Sequence, residues 1–303
     1  MDRVMVDVAA IGDNITDCFI DLGVMYPGGN SVNVAVQAAR IGCRSAYIGV
    51  VGDDLRGRLL RKSLIDEGVN IERLHVRAGR TAYVDVRHVE GDRVFETVDR
   101  GVSLLDPSPD DLHFAAAARV AHSTYCSGME RSLELLARTT HVSFDFDAHL
   151  GDDYARSLIE HVWAAEFSAP TLDDGECESL LTWAVSSGAR HAFATRATRG
   201  AMHFDGERFS RAPALAIEPI DTLGAGDAFI GRALFGLLND ESAEVLLMAA
   251  VDAASVACQS PGGFGHGAPL PSSDQNDEFS RDTVNRESFS REVIDADIGP
   301  SQK

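Results

Sequence analysis

A chain of 303 residues, 45% apolar and 24% charged, is long enough for one large domain and has the balance of a globular protein in water. Its formal net charge of −20 repels nucleic acid and anionic membrane surfaces, so neither is an expected partner. No apolar run reaches the roughly 18 residues that span a bilayer, and the first residues carry no basic segment leading into a long apolar one, so the expected location is the cytoplasm.

The five cysteines, Cys18, Cys43, Cys126, Cys177 and Cys258, are dispersed and odd in number. They read as small buried hydrophobes rather than as a disulfide framework or a zinc site. Lysine occurs only at Lys62 and Lys303, all other basic side chains being arginine. Scarce lysine with excess acid fits a salty habitat or a biased base composition, and neither bears on the reaction.

In chain order, "VMVDVAAIG" predicts a strand and "SVNVAVQAARIG" a helix closed at Gly42. "SAYIGVVG" predicts a second strand and "LRGRLLRKSLIDEG" a helix closed at Gly68. "TAYVDVRHVEGDRVFETVDR" alternates apolar and polar residues around Glu90-Gly91-Asp92, the pattern of a β-hairpin. Strands then alternate with helices: "ARVAHST", "RSLELLARTT", "HVSFDFD", "YARSLIEHVW", "AAEFSAP" and "CESLLTWAVSSG", followed by the strands "HAFATRA" and "GAMHFD". Two long helices, near 227–238 and 242–258, complete the ordered part. This alternation predicts an α/β fold, a mostly parallel sheet covered by helices on both faces. The hairpin does not suit such a sheet and is expected to form a separate lid. Residues 1–270 are expected to form the domain. From Pro271 onward the chain is polar, charged and poor in large apolar residues, the composition of a disordered tail.

"DTLGAGDAF" carries the chemistry. Apolar residues recur at helical spacing after Asp227, so Gly224, Ala225 and Gly226 form the approach to a helix whose first N–H groups lack partners. Three small residues let an anion come close to those amides and to the positive end of the helix dipole. Asp227 would repel that anion unless it faced another atom. Facing a substrate hydroxyl, it could accept the proton as that hydroxyl attacks phosphorus. The alternative is a glycine-rich turn whose acid caps the helix.

Two further stretches bear on the choice. "YPGGNSVN" places Gly28, Gly29 and Asn30 before a helix, with Asn33 one turn on. "IGDNITD" ends a strand with Asp13 and Asn14, and Asp17 follows. Carboxylates and amides at strand ends suit a polyol, which needs both donors and acceptors, although each stretch could also be turn chemistry.

Together these stretches resemble the ribokinase-like, or PfkB-type, carbohydrate kinases. The signatures are "GGNSVNVAVQAARIG", continued by "IGVVGDDLRGRLLRKSLIDEGVNIERL", and "DTLGAGDAF" about 190 residues later. The likeness covers roughly residues 4–270. Within the family, "IGDNITD", "PGGNSVNVAVQAARIG", "GDRVF", "SFDFD" and "FSAP" are most similar to fructoselysine 6-kinases. The resemblance implies a three-layer fold with a small β lid over residues 81–100, and ATP-dependent phosphorylation of a sugar hydroxyl. It implies Asp227 as general base and the amides of Gly224, Ala225 and Gly226 as the anion hole. Asp13, Gly28, Gly29, Asn30 and Asn33 fall where the family holds its sugar, with Asn14 and Asp17 beside them. It also implies Mg²⁺ with the nucleotide, a monovalent cation near the anion hole in many members, and a homodimer through paired lids.

The nucleotide side departs from the family pattern. Thr-x-Gly-x-x-Gly is replaced by "TRATRG", where Thr195 and Gly200 fit but Ala197 stands for the first glycine. The usual Asn-x-x-Glu is replaced by Thr171 and Asp174, which leaves Asp174 as the candidate for Mg²⁺. Arg196 and Arg199 are candidates for phosphate contacts or solvent-facing arginines. Ala254 and Ala257 would border the adenine, or serve close helix packing. The leading expectation is a kinase for a fructosamine such as fructoselysine, at its 6-hydroxyl. The alternatives are a kinase for fructose, ribose or an aldonic acid, and a non-catalytic sugar-binding regulator on the same fold. A dinucleotide-dependent oxidoreductase lacks support because "PGGNSVN" is not G-x-G-x-x-G after a first strand.

Overall fold

Strand β1 (Val8–Ile11) is apolar at every position because both its faces are covered. Val8 and Ala10 face one helical layer, and Ala9 and Ile11 face the other. The computed structural model describes residues 6–89 and 92–271. The Glu90–Gly91 turn of the hairpin, and the expected tail beyond Pro271, lie outside the described residues.

Nine strands form the main sheet. Their order is β13 (Phe209–Ala212), β12 (Ala201–Phe204), β11 (His191–Thr195), β10 (Ala164–Ser168), β9 (His141–Asp145), β8 (Val120–Thr124), β1, β4 (Ser45–Gly52) and β5 (Leu74–Arg77). Only the pairs that β12 makes are antiparallel. Helices α1 (Asn30–Arg40), α2 (Leu55–Asp66), α7 (Ala225–Leu238) and α8 (Ala243–Ala257) cover the Val8 face. Helices α3 (Pro109–Ala116), α4 (Glu130–Ala137), α5 (Asp153–Leu158) and α6 (Asp174–Ser186) cover the other. The three-layer α/β architecture is therefore as expected. On α7, Phe229, Ile230 and Leu234 are buried against the sheet. Each such side chain contributes about 1.5–3 kcal/mol, which anchors the helix that carries Asp227.

The lid is larger than a hairpin. It is a five-stranded sheet in the order β14 (Ala268–Pro269), β3 (Val24–Gly28), β2 (Ile15–Phe19), β6 (Tyr83–Val89) and β7 (Asp92–Asp99). The hairpin expected over 81–100 supplies only β6 and β7. In β3, Pro27 cannot donate to a ladder. It sits past the two residues, Val24 and Met25, that pair with β14, so no neighbour on that side needs its N–H. The lid joins the main sheet next to the carboxyl ends of the parallel strands, where open α/β sheets bind their ligands.

Candidate active site

The glycine turn is built as its sequence requires. Gly224 is the N-cap of α7 at φ 77°, and a Cβ there would lie 2.6 Å from the Gly263 carbonyl oxygen. Only glycine meets both demands. A Cβ at Gly226 would meet nothing within 4 Å, so this side of the turn opens onto free space. Helix α7 begins at Ala225, two residues before the expected start, which puts Asp227 in its first turn. Asp227 is buried, and its Oδ2 accepts a 2.7 Å hydrogen bond from Asn33 Nδ2. Burial pushes its carboxyl well above the usual carboxylate range, the Asn33 bond opposes this, and the carboxyls of Asp145, Asp13 and Asp147 reinforce it.

The N-terminal signature meets Asp227 through Asn33. Asn33 Oδ1 is buried with no partner in the protein, an acceptor available to a substrate hydroxyl. A Cβ at Gly28 would lie 2.9 Å from Asp17 Oδ2 and 3.8 Å from Asn33 Oδ1, so Asp17, Gly28 and Asn33 are contiguous. Gly29, at φ 109°, lets the chain pass where a Cβ would be 2.5 Å from the Asn14 Cα. Asp13 serves α1. Gly29, the N-cap, has no side chain, and Asp13 takes the capping role from upstream, accepting from Asn30 N at 2.7 Å and Ser31 N at 3.1 Å. It also accepts from the hydroxyls of Ser31, Ser127 and Thr124. Asn14 is likewise held by protein groups. Its Nδ2 donates to Tyr47 Oη and the Val50 carbonyl, and its Oδ1 accepts from Ser103 Oγ.

The sequence reading did not single out Asp145 and Asp147, which close the other side of this corner. Asp145 ends β9, and burial raises its carboxyl to about 7, helped by Asp147 and Asp13. Its Oδ1 accepts from Asp147 N at 2.8 Å. Glu166, beside Asp145 in the register of β10 and β9, is pushed up by burial and then by Asp145. The available signal was "FDFD" at a strand end, two acids at period 2 among aromatics.

On the far side of the sheet edge, Thr195 ends β11 and its Oγ1 donates to the Phe167 carbonyl at 3.4 Å. Ala197 stands at φ 50°, the left-handed region that a glycine would occupy without cost. Gly200 is at φ 84°, and a Cβ there would be 2.0 Å from the Ala212 carbonyl oxygen. The two arginines of the loop differ in exposure, Arg196 being buried and Arg199 exposed. Arg196 is buried and pairs with Asp174, while Arg199 donates to the Pro170 and Leu172 carbonyls at 2.7 and 2.6 Å. Asp174, the candidate for Mg²⁺, is exposed at the first position of α6, and Arg196 holds its carboxyl below the usual range. Ala254 is half-buried and packs against the α7–α8 cluster, and Ala257 is buried near the end of α8.

A model of the pfkB family of carbohydrate kinases matches residues 5–265. The chain belongs to that family. As a PfkB member it is 35% identical over 265 residues to the fructosamine kinase FrlD of Bacillus subtilis, which covers 86% of this chain and 93% of the relative. It is 33% identical over 234 residues to the fructoselysine 6-kinase of Escherichia coli, covering 77% and 89%. Among solved structures, the Arabidopsis thaliana ribokinase complexed with ribose and ATP superposes with a TM-score of 0.75 at 18% identity, covering 87% of this chain and 96% of that one. That likeness carries the fold.

For this PfkB kinase the metal question has a physical answer. Among the described residues no group of three His, Cys, Asp or Glu side chains could hold an ion. The carboxyl expected to hold Mg²⁺ is spent on Arg196. These residues do not fit a dedicated metal cage. Mg²⁺ retains much of its water and is commonly carried by nucleotide phosphates, so an ion arriving with the nucleotide would need no such cage.

Proposed function

We propose that this kinase transfers the γ-phosphoryl group of Mg·ATP to a hydroxyl of a fructosamine, with fructoselysine and its 6-hydroxyl as the first choice. The observation that carries this reading is the contact between the two family signatures, Asn33 bonded to Asp227 beside the open amide turn of α7. The 33–35% identity to kinases named for fructosamine and fructoselysine supports the substrate class. The sugar lies between Asp17, Asn33 and Asp227, under the lid, and its hydroxyl oxygen attacks the γ-phosphorus as the bond to ADP breaks. The amides of Gly224, Ala225 and Gly226 face the oxygens where negative charge grows.

Asp227 takes the hydroxyl proton. Burial makes it a strong base once ionised, and the Asn33 amide keeps one of its oxygens directed. The lid excludes water that would otherwise accept the phosphoryl group. The same reading extends to a homodimer through the lids, which sedimentation of the purified chain would test.

Coupled ADP release, measured with fructoselysine, other Amadori compounds, fructose and ribose, tests the substrate. The expected outcome is a kcat/KM at least tenfold higher on fructoselysine than on fructose or ribose. Equal or faster turnover of either free sugar would move the substrate away from fructosamines. The phosphorylated carbon would be read from the phosphorus–proton coupling of the product.

A further inference from the structure

Asn14 stands where the chain first crosses from the main sheet into the lid, between β1 and β2. Its side chain is buried, and both its N–H groups are used, on Tyr47 Oη at 3.0 Å and on the Val50 carbonyl at 2.8 Å. Its Oδ1 accepts from Ser103 Oγ at 3.0 Å. Ser103 lies just past β7, where the chain leaves the lid again. Ser103 Oγ in turn accepts from the N–H of Ala82, the residue before β6, at 2.9 Å. One amide therefore joins three crossings between main sheet and lid to strand β4.

The node is fitted closely. The Tyr47 hydroxyl is 2.9 Å from the Gly12 carbonyl and 3.0 Å from the Asp13 carbonyl. Its place exists because Gly49 has no side chain, since a Cβ there would be 2.2 Å from that oxygen. Burial removes water as a competitor, so these bonds define the geometry of the crossings and leave no N–H of Asn14 for a sugar hydroxyl.

We propose that Asn14, Ser103 and Tyr47 form the pivot that fixes the lid over the sugar site, which makes Asn14 a positioning residue and not a sugar ligand. The inference rests on the reading of the lid as the cover of the sugar. The test is a double-mutant cycle of Asn14→Ala and Ser103→Ala, with kcat, the KM for fructoselysine and the KM for ATP measured separately. Ser103→Ala leaves Asn14 in place. Each single variant is expected to raise the sugar KM by about 3- to 10-fold, and the double variant no more than the worse single, as for groups in one network. The KM for ATP should stay within about twofold, and Ser103→Thr, which restores the hydroxyl, should recover the wild-type sugar KM. A raised sugar KM in Asn14→Ala with none in Ser103→Ala would make Asn14 a direct ligand and overturn the pivot. Amide hydrogen exchange provides a readout that needs no substrate and only the Ser103→Ala protein. Exchange in β2 and β6 should speed by about tenfold while α7 is unchanged. Unchanged lid exchange, or equal speeding across the domain, would overturn the pivot even if no sugar on the panel proved to be the substrate.

Discussion

Asn33 and Asp227 are 194 positions apart in the chain and 2.7 Å apart in space, joined by a hydrogen bond from the Asn33 amide to the Asp227 carboxyl. The bond links the first turn of α1 to the first turn of α7, the helices that carry the two family signatures. It also leaves Asn33 Oδ1 buried with no hydrogen-bond partner in the protein.

Replacing the acid separates chemistry from folding. Asp227→Asn keeps the shape and an acceptor for Asn33 but cannot take a proton. It should lower kcat by about 10²–10⁴-fold, the range for a positioned general base. Because burial disfavours the ionised carboxyl, the melting temperature should hold or rise. Near-wild-type turnover in this variant would remove Asp227 from the mechanism.

Ala197 supplies a second test. Its φ of 50° costs an L-residue about 1–2 kcal/mol, whereas glycine is free of that cost but loses about 0.5–1 kcal/mol in the unfolded chain's entropy. Ala197→Gly should therefore stabilise the protein by up to about 1.5 kcal/mol, read from denaturant midpoints. A lower midpoint would mean that the alanine methyl makes contacts worth more than the strain.

The buried acid of β9 sets a pH dependence. Asp145 releases its proton near 7 in the fold and near the ordinary carboxyl value when unfolded, so the folded state holds a proton that the unfolded state lacks between those values. That raised value drains stability as pH climbs toward 7. His122, with its value lowered to about 3, and His191 and His203, each lowered to about 4, act in the opposite direction below their unfolded value. The clean measurement is the difference between proteins. Asp145→Asn should be more stable than wild type at pH 8, and the gap should narrow as pH falls to 5.5, at up to about 1.4 kcal/mol per pH unit. A gap independent of pH would show that Asp145 is ionised in the fold throughout.

Asp174 separates a metal role from an ion-pair role. With its carboxyl on Arg196, Asp174→Asn should leave the Mg²⁺ concentration for half-maximal activity within about twofold, while lowering the melting temperature because a buried guanidinium loses its partner. A tenfold rise in the Mg²⁺ requirement would return Asp174 to the metal.

Some elements were legible from pattern alone. "SAYIGVVG" became β4, and "LRGRLLRKSLIDEG" became α2 with Gly68 just past its end, because apolar spacing and glycine punctuation are local signals. Strands β2, β3, β5, β13 and β14 and helix α3 were not read. Polar residues, a proline and a glycine in "ITDCF" and "VMYPG" imitate loops, and pairing with each other, with β6 and with β14 makes them strands. Helix α3 did carry a readable start, Ser108-Pro109 followed by Asp111, which forms a capping box.

The linear order of residues was enough to give the alternation of strands and helices, the two signatures and the conformational freedom that their glycines supply, since all of these depend on spacing within a few positions. Which polar group meets which was decided by packing. Asp13 and Asn14 stand beside Asp17 in the chain, yet Asp13 caps α1 and Asn14 ties the lid crossings, while Asp17 lies against Gly28 and Asn33. Neighbouring carboxylates and amides look alike along a chain, and a buried hydrogen-bonding group takes the partner that the fold brings within about 3 Å.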